Sequence, residues 1–247
     1  MSNVHSTSPQ QHAFIPSPDL WRREWWCDVV LTVVLLAAAA LWDFSGLDLP
    51  LARVMGGSEG FPWRHDHGVV LLLHEVPRAL SIALVVGLSA GAAVPWGFLK
   101  WLTVSDRLQL AASVLGGIAV STLVKRLSTT SCPWDVDIFG GAVPYVSHWV
   151  LGFSDGGPGH CFPAGHASAA FGFVGGWFVL RRVLPPLAAP WLMVAIAGGF
   201  VLGIAQQLRG AHFMSHTLWT AVICWSVGAM FECIFRAANS IQVRPQT

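Results

Sequence analysis

Six stretches of this 247-residue chain are apolar enough to cross a membrane as helices. Crossing about 30 Å of hydrocarbon takes about 20 predominantly apolar residues in a helix. Several stretches are shorter, and flanking tryptophans and neutral polar residues extend them. The pattern predicts an all-α fold, a polytopic membrane helix bundle of about six transmembrane helices. The predicted spans are 27–41, 78–97, 108–124, 167–180, 189–203 and 218–234.

The segments outside these spans predict a simple organisation. The start of the chain is polar and contains prolines, without the short apolar core of a cleavable signal peptide. We expect a flexible cytoplasmic tail over 1–24, one six-helix transmembrane domain over 25–236 and a second cytoplasmic tail over 237–247. The longer non-spanning pieces, 46–77 and 126–163, fall on one predicted face.

Composition excludes most soluble classes of protein. The chain is 54% hydrophobic and 11% charged, whereas soluble domains carry about 25% charged residues. The net charge of +1 provides no basic field for nucleic acid. The expected partners are therefore membrane lipids, and no nucleic acid is expected.

Positive charge next to the spans predicts the orientation. Arg181 and Arg182 occupy the tight turn between the fourth and fifth spans, and such arginines favour the cytoplasmic side. Both termini are then cytoplasmic, the long pieces are periplasmic, and the protein belongs in a bacterial inner membrane. Tryptophans near predicted span ends, such as Trp149 and Trp219, are typical of the interfacial belt.

Polar and ionisable residues gather at three span ends on the predicted periplasmic face. The clusters lie at 125–135, 160–168 and 206–216. Ionisable groups at such positions are costly and usually have a functional reason. The clusters therefore predict a functional site.

The third cluster has residue types suited to phosphoryl chemistry. Helical spacing, in steps of three and four residues, places Arg209, His212 and His216 on one stripe. A guanidinium binds phosphoryl oxygens in bidentate fashion, and imidazoles attack phosphorus or protonate a leaving group. His166 adds an imidazole after a Pro-Ala-Gly turn at a predicted helix start, where anions are favoured.

Two other interpretations of these residues stay open at this point. Two histidines four residues apart are also a metal-binding pattern, although no third ligand has suitable spacing. Alternatively, the polar residues only cap helices. Phosphoryl chemistry without a metal or another cofactor is the favoured hypothesis.

The three clusters resemble the motifs of the type 2 phosphatidic acid phosphatase superfamily, in particular its bacterial membrane lipid phosphatases. The family pattern is Lys, six residues, Arg-Pro; then Pro-Ser-Gly-His; then Ser-Arg, five residues, His, three residues, Asp. The resemblance covers about 107–236. The positions that match are Lys125, Pro133, Pro163, Gly165, His166 and His212.

The resemblance implies roles for the matching residues. His212 would be the nucleophile that forms a phosphohistidine, and His166 would be the general acid for the leaving group. Lys125 would bind the phosphate, with Gly165 in the phosphate-binding segment.

The chain departs from the pattern in all three motifs. Cys132 and Gln206 stand where the family has arginines, Ala164 replaces the serine, and His216 replaces the aspartate. Arg209, one turn from Gln206, or Arg126, next to Lys125, would then supply a replacement guanidinium, and Gln206 would remain in the phosphate-binding set. His216 would orient His212, or in an alternative register it would itself be the nucleophile.

The resemblance implies an integral membrane phosphatase or phosphotransferase. Its substrate would be a lipid phosphate or diphosphate headgroup of the phospholipid, polyprenyl diphosphate or lipid A class, on the periplasmic face. Because of the departures, the alternative is a non-catalytic member that binds lipid phosphates or a partner protein.

The resemblance also suggests a disulfide. Cys27, Cys224 and Cys233 fall in or next to spans, whereas Cys132 and Cys161 lie in the long piece predicted to face an oxidising compartment. If the family fold brings the first two motifs to one phosphate, their Cα atoms approach the roughly 5–6 Å that a disulfide prefers. We therefore expect a Cys132–Cys161 disulfide.

Overall fold

The computed structural model describes residues 18–150 and 152–242 as a bundle of helices joined by loops. A π-helical turn, Leu71–Glu75, joins α3 to α4, and a 3-10 turn, Gly172–Gly175, joins α6 to α7. The helices are α1 Pro18–Ser45, α2 Asp48–Met55, α3 His67–Val70, α4 Val76–Ala93, α5 Val104–Leu127, α6 Gly165–Phe171, α7 Gly176–Val183, α8 Pro185–Leu208 and α9 Met214–Gln242. Short 3-10 turns lie at Gly97–Trp101, Pro133–Asp135 and Asp137–Phe139.

Among the described residues, five helical segments are long and apolar enough to span a membrane, which confirms the all-α membrane bundle. They are Trp21–Ser45, His67–Trp101, Val104–Leu127, Pro185–Leu208 and Met214–Ala238. The fourth predicted span, 167–180, falls in the interrupted helix α6–α7, which is not among the five. Most of this helix is buried against α5, α8 and α9, so its apolar residues form the protein core.

The helices extend further than the predicted domain limits. Residues 18–24, assigned to the first tail, belong to α1, and the structure keeps residues 237–242 in α9. Proline is well tolerated in the first turn of a helix, which is consistent with α1 beginning at Pro18. The remainder of the two predicted tails, 1–17 and 243–247, lies outside the described residues.

Arginines and carboxylates at one end of the bundle form ion pairs. Arg181 at the end of α7 donates to both carboxylate oxygens of Asp28, at 2.8 and 2.6 Å. Glu232 accepts a 2.6 Å bond from Arg236 and lies 3.3 Å from Nε of Arg182. This end is the one predicted to be cytoplasmic, and it lies at the opposite end of α6–α7 from His166.

Close packing in the core depends on small residues. The Phe171 ring of α6 is fully buried and lies directly over Gly199 of α8, where a Cβ atom would overlap the ring. Small residues allow membrane helices to approach in this way. The contact fixes α6 against α8, and α6 carries His166.

Gly199→Ala should therefore destabilise the fold by about 1–3 kcal/mol, as overpacked cores do. The control is Gly198→Ala in the same helix, where the new methyl group would meet only the Ala170 methyl group, at 3.1 Å. Both changes gain the same helix propensity, so the difference reports packing. Thermal unfolding in detergent measures it, and equal midpoints for the two variants would contradict the expectation.

Candidate active site

Three chain segments meet at the end of the bundle opposite the ion pairs. They are the end of α5 with the loop that follows it, the start of α6 with the residue before it, and the α8–α9 connection with the first turn of α9. Backbone hydrogen bonds join them: Trp134 N–H donates to the Gly210 carbonyl at 2.9 Å, and Ala164 N–H donates to the His216 carbonyl at 3.1 Å. All three sequence clusters are thus held together.

The start of α6 lies next to Lys125. The helix begins at Gly165, within the predicted Pro-Ala-Gly turn and two residues before the predicted span. A Cβ atom at Gly165 would lie 3.2 Å from Cδ of Lys125, so a larger residue would displace the lysine stem. Lys125, Arg209 and Arg78 are close enough to His166 to interact with it electrostatically.

A second histidine, which the sequence did not indicate, packs on His166. The rings of His74 and His166 have centroids 4.0 Å apart at an interplanar angle of 36°. His74 lies in the π-helical turn, and its Nδ1 is 2.7 Å from Glu75 Oε1. π-Helical turns are frequent at functional sites, but no sequence motif marks this one.

The predicted helical stripe through Arg209, His212 and His216 is wrong. Helix α8 ends at Leu208, and Gly210 has a left-handed backbone with φ of +74°. Glycine is the residue that most readily adopts this conformation after a helix. Arg209 therefore lies at the end of α8, His212 in the connection, and His216 in the first turn of α9.

The two histidines nevertheless lie side by side in the interior. Nδ1 of His212 is 3.4 Å from Nδ1 of His216, and both side chains are buried. Burial holds the pKa of His212 well below its ordinary value, and the nearby charge of Lys125 acts in the same direction. His212 is therefore a neutral imidazole with one free nitrogen lone pair.

A third histidine, His148, lies between His216 and the carboxylate of Asp43. The His148 ring packs edge-on against His216 with centroids 5.7 Å apart, and its Nε2 is 3.5 Å from Asp43 Oδ2. Burial lowers the pKa of His148 despite the opposing effect of Asp43. Asp43 also accepts hydrogen bonds from Trp149 at 2.9 Å and Trp219 at 2.7 Å, so these tryptophans contribute to the site as well as to the predicted interfacial belt.

A second carboxylate, also missed from the sequence, fixes the start of α9. Asp48 is buried and accepts from both N–H and Oγ of Ser215, and from Trp42 Nε1 at 2.7 Å. Because Ser215 precedes His216, this contact sets the position of the histidine.

The two candidate replacement arginines differ in position. Arg209 Nη1 donates to Gln206 Oε1 at 3.1 Å, and Gln206 is buried with its Nε2 unpaired among the described residues. Arg126 is exposed on α5, about 100° around the helix from Lys125. The structure therefore brings Arg209 and Gln206 together, with an amide donor left over, and leaves Arg126 outside this contact.

A disulfide joins Cys132 and Cys161, with their Cα atoms 5.2 Å apart. Its Cys161 sulfur lies 3.6 Å from His212 Nδ1. Cys161, His212 and His216 bring their ligand atoms within 4.8 Å of one another. A disulfide sulfur is not a thiolate, however, and thiolate is the form of cysteine that binds metals. With the disulfide intact, the arrangement therefore offers two imidazoles.

Loss of the disulfide should destabilise the fold. The bond closes a loop with a sequence separation of 29, worth roughly 3–4 kcal/mol in the chain-entropy model. Cys132→Ser should lower the unfolding midpoint in detergent, whereas Cys233→Ser should change it little, because Cys233 is free. Mass spectrometry after thiol blocking should find Cys132 and Cys161 unmodified until reductant is added. Two alkylated cysteines at these positions would contradict the disulfide.

Comparisons with known proteins identify the family. The model of the PAP2 superfamily matches residues 106–239, more than half of the chain. A crystal structure described as the first transmembrane PAP2 type phosphatidylglycerolphosphate phosphatase, from Bacillus subtilis, aligns with 90% of this chain and 98% of its own. Its TM-score is 0.47 and its sequence identity 16%. No curated protein matches the chain. The chain is thus a multi-pass membrane protein that belongs to the PAP2 superfamily.

Proposed function

We propose that this protein is a membrane phosphatase that removes phosphate from a lipid phosphate or diphosphate headgroup through a phosphohistidine. The proposal rests on the state of His212. Its side chain is a neutral imidazole, is buried against His216, and lies close enough to Lys125 to be affected by its charge. Membership of the PAP2 superfamily supports the same chemistry.

The geometry favours His212 as the nucleophile. If its Nδ1–H donates to Nδ1 of His216, the free lone pair is on Nε2. Burial and the surrounding cations lower the pKa of His166 to about 3 in the empty site, so the step requires the negative charge of the bound phosphate to favour the protonated imidazole. In the first step, Nε2 forms a bond to phosphorus while the bond to the leaving oxygen breaks, and the protonated His166 gives that oxygen its proton. In the second step, water attacks the phosphohistidine, His166 takes a proton from the water, and phosphate leaves. An alcohol acceptor in place of water would make the enzyme a phosphotransferase.

Positive charge and one amide stabilise the transferring group in this proposal. Lys125 and Arg209 lie close to His166, and the unpaired Gln206 amide supplies a hydrogen-bond donor. Donors fixed in advance in a buried site stabilise developing charge strongly. Arg209, rather than the exposed Arg126, replaces the guanidinium that the family places at position 206.

The substrate approaches from the periplasmic face in this proposal, because Arg181 and Arg182 at the other end favour the cytoplasm. The protein then lies in a bacterial inner membrane with both termini cytoplasmic. A lipid can present its phosphate at a span end while its tails stay in the bilayer, which fits phospholipid, polyprenyl diphosphate and lipid A substrates.

The second candidate function is binding without catalysis. Gln206 and His216 in place of a charged arginine and aspartate favour it, because both changes remove charge from the family's site. Phosphate release by the purified protein distinguishes the two functions.

His212→Ala and His166→Ala should each reduce the rate of phosphate release by on the order of a hundredfold or more, since water performs both roles poorly. The assay uses purified protein in detergent with phosphatidic acid, a polyprenyl diphosphate and lipid A. Absence of release from all three by the wild-type protein would favour the binding function.

His216→Ala tests the register of the site. An orienting role predicts a smaller loss than that of His212→Ala. Radiolabelled phosphate trapped on His216 instead of His212 would reverse the two assignments.

Arg209→Ala should also reduce the rate by on the order of a hundredfold, the usual effect of losing one preorganised charge or donor. Arg126→Ala is the matched control and should retain near-normal activity because its side chain is exposed. Full activity of the Arg209 variant together with an inactive Arg126 variant would refute the choice.

Activity of the protein as isolated should be insensitive to EDTA, because the proposed steps use histidine and lysine side chains and no bound metal. The measurement is phosphate release before and after chelation. Loss of activity that magnesium restores would argue against the phosphohistidine mechanism.

A further inference from the structure

One sulfur atom of the disulfide lies beside the His212–His216 pair. The proposed phosphoryl chemistry does not involve this atom. Cys161 is fully buried, and its Sγ lies 2.9 Å from the carbonyl oxygen of Ala211 and 3.6 Å from His212 Nδ1. Reduction of the disulfide would leave a thiol at this position, beside two imidazoles.

The spacing of the three ligand atoms matches a tetrahedral metal site. Zinc binds thiolate at about 2.3 Å and imidazole at about 2.0–2.1 Å, so tetrahedral angles separate S from N by roughly 3.6 Å and N from N by roughly 3.3 Å. The observed separations are 3.6 Å for Cys161 Sγ to His212 Nδ1, and 3.4 Å for His212 Nδ1 to His216 Nδ1. The third distance, between Cys161 Sγ and a ring nitrogen of His216, is within 4.8 Å.

We infer that reduction of the Cys132–Cys161 disulfide creates a Cys-His-His site for zinc or a similar divalent ion, formed by Cys161, His212 and His216. A dithiol reductant gives the disulfide two electrons and two protons and becomes a disulfide itself. The Cys161 thiol then loses its proton to solvent as the metal–sulfur bond forms. Two imidazole nitrogens complete three ligands, and water takes the fourth position.

The ligand chemistry selects the class of metal. One thiolate and two imidazoles suit zinc, cobalt and related ions, whereas magnesium and calcium require oxygen ligands. The oxidised protein lacks the thiolate, so the disulfide protects the histidines from these metals.

The bound metal would stop phosphoryl transfer, a consequence that rests on the proposed function. A metal on Nδ1 of His212 forces the ring proton onto Nε2, because a neutral imidazole has one protonated nitrogen. The lone pair that attacks phosphorus is then absent. The redox state of Cys161 would thereby decide whether trace zinc inhibits the enzyme.

Two single variants provide a matched test. Cys132→Ser leaves Cys161 as a free thiol without reductant, and Cys161→Ser leaves Cys132 free instead; Cys27, Cys224 and Cys233 remain in both. Purified full-length proteins in detergent are titrated with Co²⁺ without oxygen. A thiolate-to-cobalt charge-transfer band reports a cysteine ligand, and histidines elsewhere do not produce it.

The band should appear at one Co²⁺ per chain in the Cys132→Ser variant, and in wild-type protein reduced with dithiothreitol and desalted. It should be absent from oxidised wild-type protein and from the Cys161→Ser variant. Equal bands in the two variants would overturn the proposal, as would the lack of a band in reduced wild-type protein. If the Cys132→Ser variant fails to fold, the comparison of reduced with oxidised wild-type protein tests the metal site on its own.

Inhibition is measured separately on the same samples. Zinc should inhibit the Cys132→Ser variant at concentrations on the order of a hundredfold lower than the Cys161→Ser variant, since a lost outer partner alone costs 10–100-fold in affinity. A cobalt band with unchanged turnover would overturn the inhibitory role. The band requires no turnover, so a failure of the proposed phosphatase function is distinguishable from a failure of the metal site.

Discussion

The α8–α9 connection is the constraint on which the rest of the site depends. Gly210 adopts a left-handed backbone there, and a side chain at this position would overlap the Phe61 ring. Its carbonyl accepts from Trp134, which holds the segment that follows Lys125. The turn also brings His212 back against His216. In a longer α8 the Gly210 carbonyl would accept from residue 214 within the helix instead of from Trp134.

The departures from the family motifs are easier to understand with this geometry. At position 206 the guanidinium is gone, but Arg209 donates to the glutamine that replaces it. At position 216 the carboxylate is gone, yet Asp43 lies beyond His148 on the far side of the replacing histidine. The positive charge of Arg209 and the negative charge of Asp43 thus lie near positions 206 and 216 and not at them. Burial, together with the nearby charge of Lys125, keeps His212 a neutral imidazole.

The sequence was sufficient to predict the helical membrane fold and the meeting of the three clusters, because the spans are long apolar runs and the motifs have fixed spacings. It was insufficient where distant segments contribute. His74, Asp43 and Asp48 come from parts of the chain without a motif, and only packing brings them to the site. Helix periodicity also failed at Gly210, where one left-handed residue ended the predicted stripe.

The two ends of the bundle differ in how their charges are balanced. This difference distinguishes the end whose charged groups stabilise the fold from the end that carries the candidate site. At the end with Arg181, carboxylates neutralise Arg181, Arg182 and Arg236 directly. At the other end the carboxylates have other partners. Asp43 binds tryptophans, Asp48 binds Ser215, Asp155 binds Ser131, and Glu75 contacts His74. Within the described part of the chain, Lys125, Arg209 and Arg78 form no ion pair with a carboxylate, although Glu75 attracts Arg209. In the proposed function their charges are available to a phosphate. A fold that only required stability would have paired them, since unpaired charge near the membrane interior is costly.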